Sequence, residues 1–129
     1  MTIAELCLLG VVIVTLLSIM PAKFDGKRAY DNANPRDAAF YTPGLRARAR
    51  GAHLNGFEAF PFFAAAVLLA EMRAVPQGTV NALALAFLAA RIVFTVLYLT
   101  NRPSLRSMVW AVGLACNLAI FFSPAWAGR

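Results

Sequence analysis

The chain is predicted to be an all-α integral membrane protein, a single four-helix bundle, on three observations. Of its 129 residues, 60% are hydrophobic and only 14% are charged, whereas a soluble domain this small leaves roughly half its residues facing water. Four segments reach the length of about 20 largely apolar residues that crosses a bilayer. The last two connections are short, so the helices that they join are antiparallel neighbours.

The first span, residues 2–22, holds the stretch IAELCLLGVVIVTLLSIMPA. No basic residue precedes it and no small-residue cleavage site follows, so it reads as a retained helix rather than a signal peptide. A long connection, residues 23–47, comes next, polar and rich in Gly, Pro, Asn and Asp; ordered loops of this length are usually functional. The second span covers residues 48–72. Pro76 and Gly78 separate it from the third, residues 79–100, and Asn101, Pro103 and Ser104 separate that from the fourth, residues 105–126. No repeat or low-complexity tract divides the chain, which forms one domain, 1–129.

The net charge of +6 is read by location. Lys23, Lys27, Arg28, Arg36, Arg46, Arg48 and Arg50 lie in or beside the long loop, and Arg102 and Arg106 flank the third connection, against Arg73 and Arg129 at the other side. The positive-inside rule places the first and third connections in the cytoplasm and both termini across the membrane. No interleaving of basic and aromatic residues on a polar surface points to nucleic acid. Cys7 and Cys116, each inside an apolar segment, read as buried free thiols, and two cysteines alone make no metal site.

Ionisable residues inside spans are costly and normally face the bundle interior or a wet cavity. The stretch RARARGAHLNGFEAFPFF opens the second span. At about 100° per residue, Arg48, Asn55 and Glu58 share an arc of roughly 80° that also contains Gly51, while Arg50 and His53 point elsewhere. In the third span Arg91, Phe94, Thr95, Tyr98 and Arg102 repeat at intervals of three, four and seven. Arg106 and Ser107 open the fourth span, where a helix N-terminus offers free amides and a positive dipole end. Together these groups suit a small ligand carrying both carboxylates and an amine. Each also has a plain structural reading: snorkelling for Arg48 and Arg50, a helix-tying salt bridge from Glu58 to Arg91 or Arg48, and a backbone hydrogen bond for Tyr98. Pro61 deprives the Phe57 carbonyl of its helical partner, and a kink there would widen the space beside Glu58.

Four local patterns and the four-span layout resemble the family of membrane-associated proteins in eicosanoid and glutathione metabolism. AHLNGFE, residues 52–58, is similar to its second-helix glutathione motif; NPRDA, residues 34–38, resembles a first-loop motif of the prostaglandin E synthase branch. ARIVFTVLYL, residues 90–99, is similar to the third-helix Arg and Tyr pair, and PSLRS, residues 103–107, resembles the segment that activates the thiol. The chain looks like a bacterial member, nearest the microsomal prostaglandin E synthase and glutathione transferase branch.

The resemblance implies a homotrimer in a bacterial inner membrane, binding glutathione between subunits near the cytoplasmic side. Arg106, Ser107 and Asp37 would be catalytic; Arg48, His53, Asn55, Glu58, Arg91, Tyr98 and Arg102 would hold glutathione; no metal is implied. Relatives often carry Arg where this chain has Gly51, His or Tyr for Phe94, and Tyr for Trp110. The expected function is a glutathione-dependent transferase or peroxidase for lipophilic electrophiles or lipid hydroperoxides. Its alternatives are a non-enzymatic lipid-binding or scaffold member of the family, and a small multidrug or proton-coupled transporter using Glu58.

Overall fold

A computed structural model of the chain describes residues 1–127; Arg129, which enters the orientation argument, lies outside the described residues. Its elements are all helical: α1 (Ile3–Leu17), α2 (Met20–Lys23), α3 (Leu45–Met72), α4 (Gln77–Leu99) and α5 (Pro103–Trp126). Four stretches are long and apolar enough to cross a membrane: Ile3–Lys23, which joins α1 to α2, and α3, α4 and α5. The chain is thus a multi-pass, all-helical membrane protein. The joint between α1 and α2 falls where Pro21 has no N–H to return to the Leu17 carbonyl, and the Ser18 hydroxyl turns back onto the Thr15 carbonyl at 2.6 Å.

Helix ends are fixed by specific bonds. Thr2 and Glu5 cap α1 reciprocally, Thr2 Oγ1 accepting from the Glu5 amide at 3.0 Å and Glu5 Oε2 from the Thr2 amide at 2.7 Å. The same hydroxyl donates to Glu71 at 2.8 Å, and Asn81 Oδ1 accepts from the Ala4 amide at 3.0 Å, so α1, α3 and α4 are pinned together at this end. Both α3 and α4 stop in Schellman turns. Ala74 and Asn101 take left-handed φ values of 54° and 58°, and the amides of Val75 and Arg102 reach back to Ala70 and Leu97 at 3.1 and 2.9 Å.

Helix α3, the second span, begins at Leu45, three residues before the expected span does, because Arg46 and Arg48 both find partners inside the protein. It runs unbroken through Pro61. Helices α3 and α4 form the centre, with α1 packed against both on one flank and α5 against both on the other. The main core joins Cys7, Val11, Phe63, Val67, Val80, Phe87 and Ile120 with a set of alanines; Phe63 and Phe87 stack at 4.2 Å. Small residues let backbones approach, as in other membrane bundles. At Gly56 an added Cβ would collide with the side chain of Thr15, so α1 and α3 meet there as closely as a glycine permits. Leucines, valines and phenylalanines on the outer faces are about half exposed, the surface a lipid-embedded bundle presents.

A second, smaller core holds the long loop. Ile19, Ala22, Phe40, Tyr41 and Ala49 are buried together, and Phe40 meets both Tyr30 and Tyr41 edge-on. Tyr41 donates to the Pro35 carbonyl at 2.9 Å. The strongest tie is Arg46 to Asp25 at 2.8 Å, with both side chains less than a tenth exposed, and Arg46 also lies over the Phe40 ring. The Arg46 hydrogen bond holds the Asp25 carboxyl below its ordinary range, reinforced by the Lys27 amide and by both positive charges.

A carboxyl with a depressed folded value contributes stability above its unfolded value, near pH 4, and loses it as pH falls through the folded one. Amide-exchange protection of residues 24–44 is therefore expected to persist at pH 5 and to collapse under stronger acid. In Asp25→Asn it should be weak even at neutral pH; unchanged protection in that variant would show that the aromatic core alone holds the loop.

Candidate functional site

Two adjoining cavities open between α3, α4 and α5. One, about 420 Å³, is walled by Gly51, Asn55, Glu58, Phe94, Tyr98, Arg106 and Ser107 among others. The other, about 220 Å³, lies deeper in the bundle beside Phe62, Phe87, Arg91, Gly113 and Asn117. Asn55, Glu58 and Trp110 belong to both walls. The larger falls within the range of small-ligand sites, about 300 to 1,000 Å³, and the smaller extends it into the bundle.

A polar chain crosses this space. Arg91, 5% exposed, donates from Nη1 to Asn55 Oδ1 at 2.9 Å, and Asn55 Nδ2 faces Glu58 Oε2 at 3.4 Å. The guanidinium can only donate and the carboxylate only accept, which fixes the orientation of the amide between them. Neither Arg91 nor Glu58 makes a salt bridge among the described residues. The direct Glu58 to Arg91 bridge weighed from the sequence is thus replaced by an amide relay. The Arg91 guanidinium lies over the Phe94 ring at 4.4 Å, and Phe94 meets Tyr98 edge-on.

At the loop end of the larger cavity, Arg106 stacks on the Tyr98 ring at 4.2 Å, a cation–π contact that orients the guanidinium. Ser107 donates to the Pro103 carbonyl at 3.1 Å, keeping its oxygen lone pairs free. At the first turn of α5, where Pro103 has no N–H, the Ser104 and Leu105 amides have no helical acceptors. The Tyr98 hydroxyl makes no hydrogen bond among the described residues and packs directly over Gly51, where an added Cβ would overlap it. That close approach is what the missing side chain at position 51 provides.

The structure therefore brings together Asn55, Glu58, Arg91, Tyr98, Arg106 and Ser107. Four other expected residues sit elsewhere in the chain. Arg48 lies on the same arc as Asn55, but its Nε donates to the Leu99 carbonyl at 3.0 Å, capping the C-terminal end of α4. His53 faces α1, its Nδ1 on the Thr15 carbonyl at 2.7 Å; a carbonyl only accepts, so Nδ1 carries the proton. Arg102 is exposed beyond the end of α4, because the Schellman turn stops the helix before the three-four repeat reaches it. Asp37 stays in the loop, accepting from the Ala39 amide and 3.8 Å from Arg28.

Two wall residues carry more than the sequence reading gave them. Asn117 is 3% exposed and its Oδ1 has no partner; a lone Asn in an apolar span was a visible signal, but it belongs to neither stripe. Trp110 walls both cavities, where its indole replaces an expected phenol.

Gly51→Ala is expected to lever the Tyr98 ring, and Arg106 stacked upon it, out of position. Affinity for a ligand of this cavity should fall about fivefold or more, the cost of overpacking by 1–3 kcal/mol, with the helical circular dichroism unchanged. Equal affinity would mean that Tyr98 takes no part in binding.

A model of the MAPEG family matches residues 3–126. Searches of curated proteins and of solved structures gave no match. A match over nearly the whole chain, on a bundle with four membrane-spanning helices, settles the grouping: the chain belongs to the MAPEG family.

Proposed function

We propose that the chain is a glutathione-dependent transferase or peroxidase acting on lipophilic electrophiles or lipid hydroperoxides taken from the bilayer. The observation that carries this reading is Arg91, a buried guanidinium with no carboxylate partner, one amide away from Glu58, a carboxylate with no cation. A bundle built only for stability would pair such charges or replace them with apolar residues. A ligand with an anionic and a cationic end satisfies both, and the γ-glutamyl end of glutathione is such a group.

In this reading Arg91 takes the ligand's α-carboxylate, Glu58 its ammonium, and Asn55 the peptide between. Tyr98 donates its free hydroxyl. Bound there, glutathione supplies a thiol as the nucleophile. A free thiol titrates near 8.5 and is mostly protonated at neutral pH; lowering it by two units takes about 2.7 kcal/mol. Arg106 contributes positive charge fixed by the Tyr98 ring, the α5 N-terminus adds amides and dipole, and Ser107 can turn its hydroxyl toward sulfur. The proton leaves to solvent through the open loop end. The apolar walls, Leu54, Phe94 and Trp110, hold the electrophile close to the nucleophile.

Each protomer leaves these cavities open at its side, and we assign the cover to neighbouring copies in a homotrimer. Arg48, His53, Arg102 and Asp37 then act from outside the cavity, Asp37 and Arg102 only by way of an adjoining subunit. A scaffold or lipid-binding role draws its support from Phe94 and Trp110, whose apolar faces offer a tripeptide fewer polar contacts.

The test is the ultraviolet thiolate band of glutathione added to purified protein near neutral pH. Wild type should show it, and Arg106→Leu should lose it along with turnover while keeping the same oligomeric size. An equal band in both proteins would remove Arg106 from thiol activation; no band in either, at saturating glutathione, would replace the enzyme reading with the scaffold one.

A further inference from the structure

The deeper cavity, about 220 Å³, is bordered by a polar group that takes no part in the binding proposed so far. Asn117 is 3% exposed and lines it, and its Oδ1 has no hydrogen-bond partner among the described residues. Other buried polar side chains close their bonds within their own helices: Ser18 onto the Thr15 carbonyl, Thr95 onto Arg91 and Ser123 onto Ile120. An unpaired oxygen inside a membrane bundle is costly. A leucine, close to asparagine in shape, would remove that cost.

One contact fixes the level at which Asn117 stands. Helices α3 and α5 run in the same direction, each antiparallel to α4, and the rings of Phe62 and Phe121 meet at 5.9 Å. One turn nearer the loop on each helix come Glu58 and Asn117, which therefore stand level, and both line the cavity. A further turn along α5 is Gly113, which has no side chain to separate Asn117 from the Arg91 guanidinium on the same wall. The terminal torsion of an asparagine is soft, so a turn of the amide presents its oxygen to this space. A carboxylate, a neutral acceptor and a guanidinium thus border one small cavity.

We infer that Asn117 is a second acceptor for the ammonium group of the ligand, and so reads the amine of an α-amino acid head. The inference rests on the proposed binding of the γ-glutamyl end, with its α-carboxylate on Arg91 and its ammonium on Glu58. An ammonium carries three N–H donors pointing in different directions, and one carboxylate on one side leaves part of that set unmet. The amide oxygen meets it from α5 without placing a second negative charge inside the membrane. Asn117 acts in recognition and touches no reacting atom.

The experiment titrates the full chain in detergent with glutathione and with its deamino analogue, in which a glutaryl group replaces the γ-glutamyl one. Wild type is expected to prefer glutathione. Asn117→Leu should lose about tenfold or more in glutathione affinity, the range for a hydrogen bond to a charged group. It should bind the analogue as wild type does and melt no lower, and Asn117→Ala carries the same comparison if the leucine variant fails to fold. Normal glutathione binding by both wild type and variant would overturn the role of Asn117 and leave the proposed function standing. Equal loss for both ligands would make Asn117 a packing residue, and equal wild-type affinity for the two would show that the amine is not read, each overturning the inference. A wild type that binds neither ligand would remove the proposed function and this inference with it.

Discussion

The hydrogen bond from Arg91 to Asn55 joins the two central helices within the membrane-spanning bundle, and it leaves the Arg91 charge without a carboxylate partner. A charged side chain in the middle of a membrane helix costs about 2.5–3.5 kcal/mol on insertion scales. Among the described residues Phe94 offers this charge only a ring face, and Glu58 is reached through an amide. The surrounding packing is arranged around this group: Phe63 stacks on Phe87 on one side of it, and Tyr98 settles over Gly51 on the other. A polar strip open to ligand is the result, running from Asn117 in the interior to Ser107 at the loop end.

Helix α3 carries two surfaces with different chemistry. Asn55 and Glu58 face α4 and α5 and meet a cavity lined by charges of both signs; His53 and Phe57 face α1 and meet one whose only charges are positive. This division follows from period 3.6, because residues two apart in sequence lie about 160° apart on a helix. It gives one span a wall in each of two cavities, with Leu54 shared. Gly56 allows the arrangement by bringing α1 close enough for Thr15 to accept from His53.

Much of this was legible in the sequence. Hydropathy and the Gly, Pro and Asn punctuation gave the four spans to within about three residues, and helical periodicity put Asn55 and Glu58 on one stripe with Tyr98 opposite. Periodicity failed where helix ends intervene. Arg48 shares the angular position of Asn55 but lies level with the last turn of α4, whose free carbonyl at Leu99 captures it. Arg102 continues the spacing of Arg91 and Tyr98 on paper, yet the left-handed residue Asn101 ends the helix first. The buried pair Asp25 and Arg46 was hidden because it joins a loop to a helix across 21 positions, and the partnerless Asn117 because its significance depends on which face α5 turns inward.

The most direct measurement is of Arg91→Met, in thermal stability without ligand and in glutathione affinity, on the same preparation. If Arg91 is held in the bundle for a ligand's carboxylate, the methionine variant is expected to be at least as heat-stable as wild type, having lost a costly charge, and to bind glutathione far more weakly. A variant that melts well below wild type yet binds glutathione normally would contradict this account and make Arg91 a structural tie between α3 and α4.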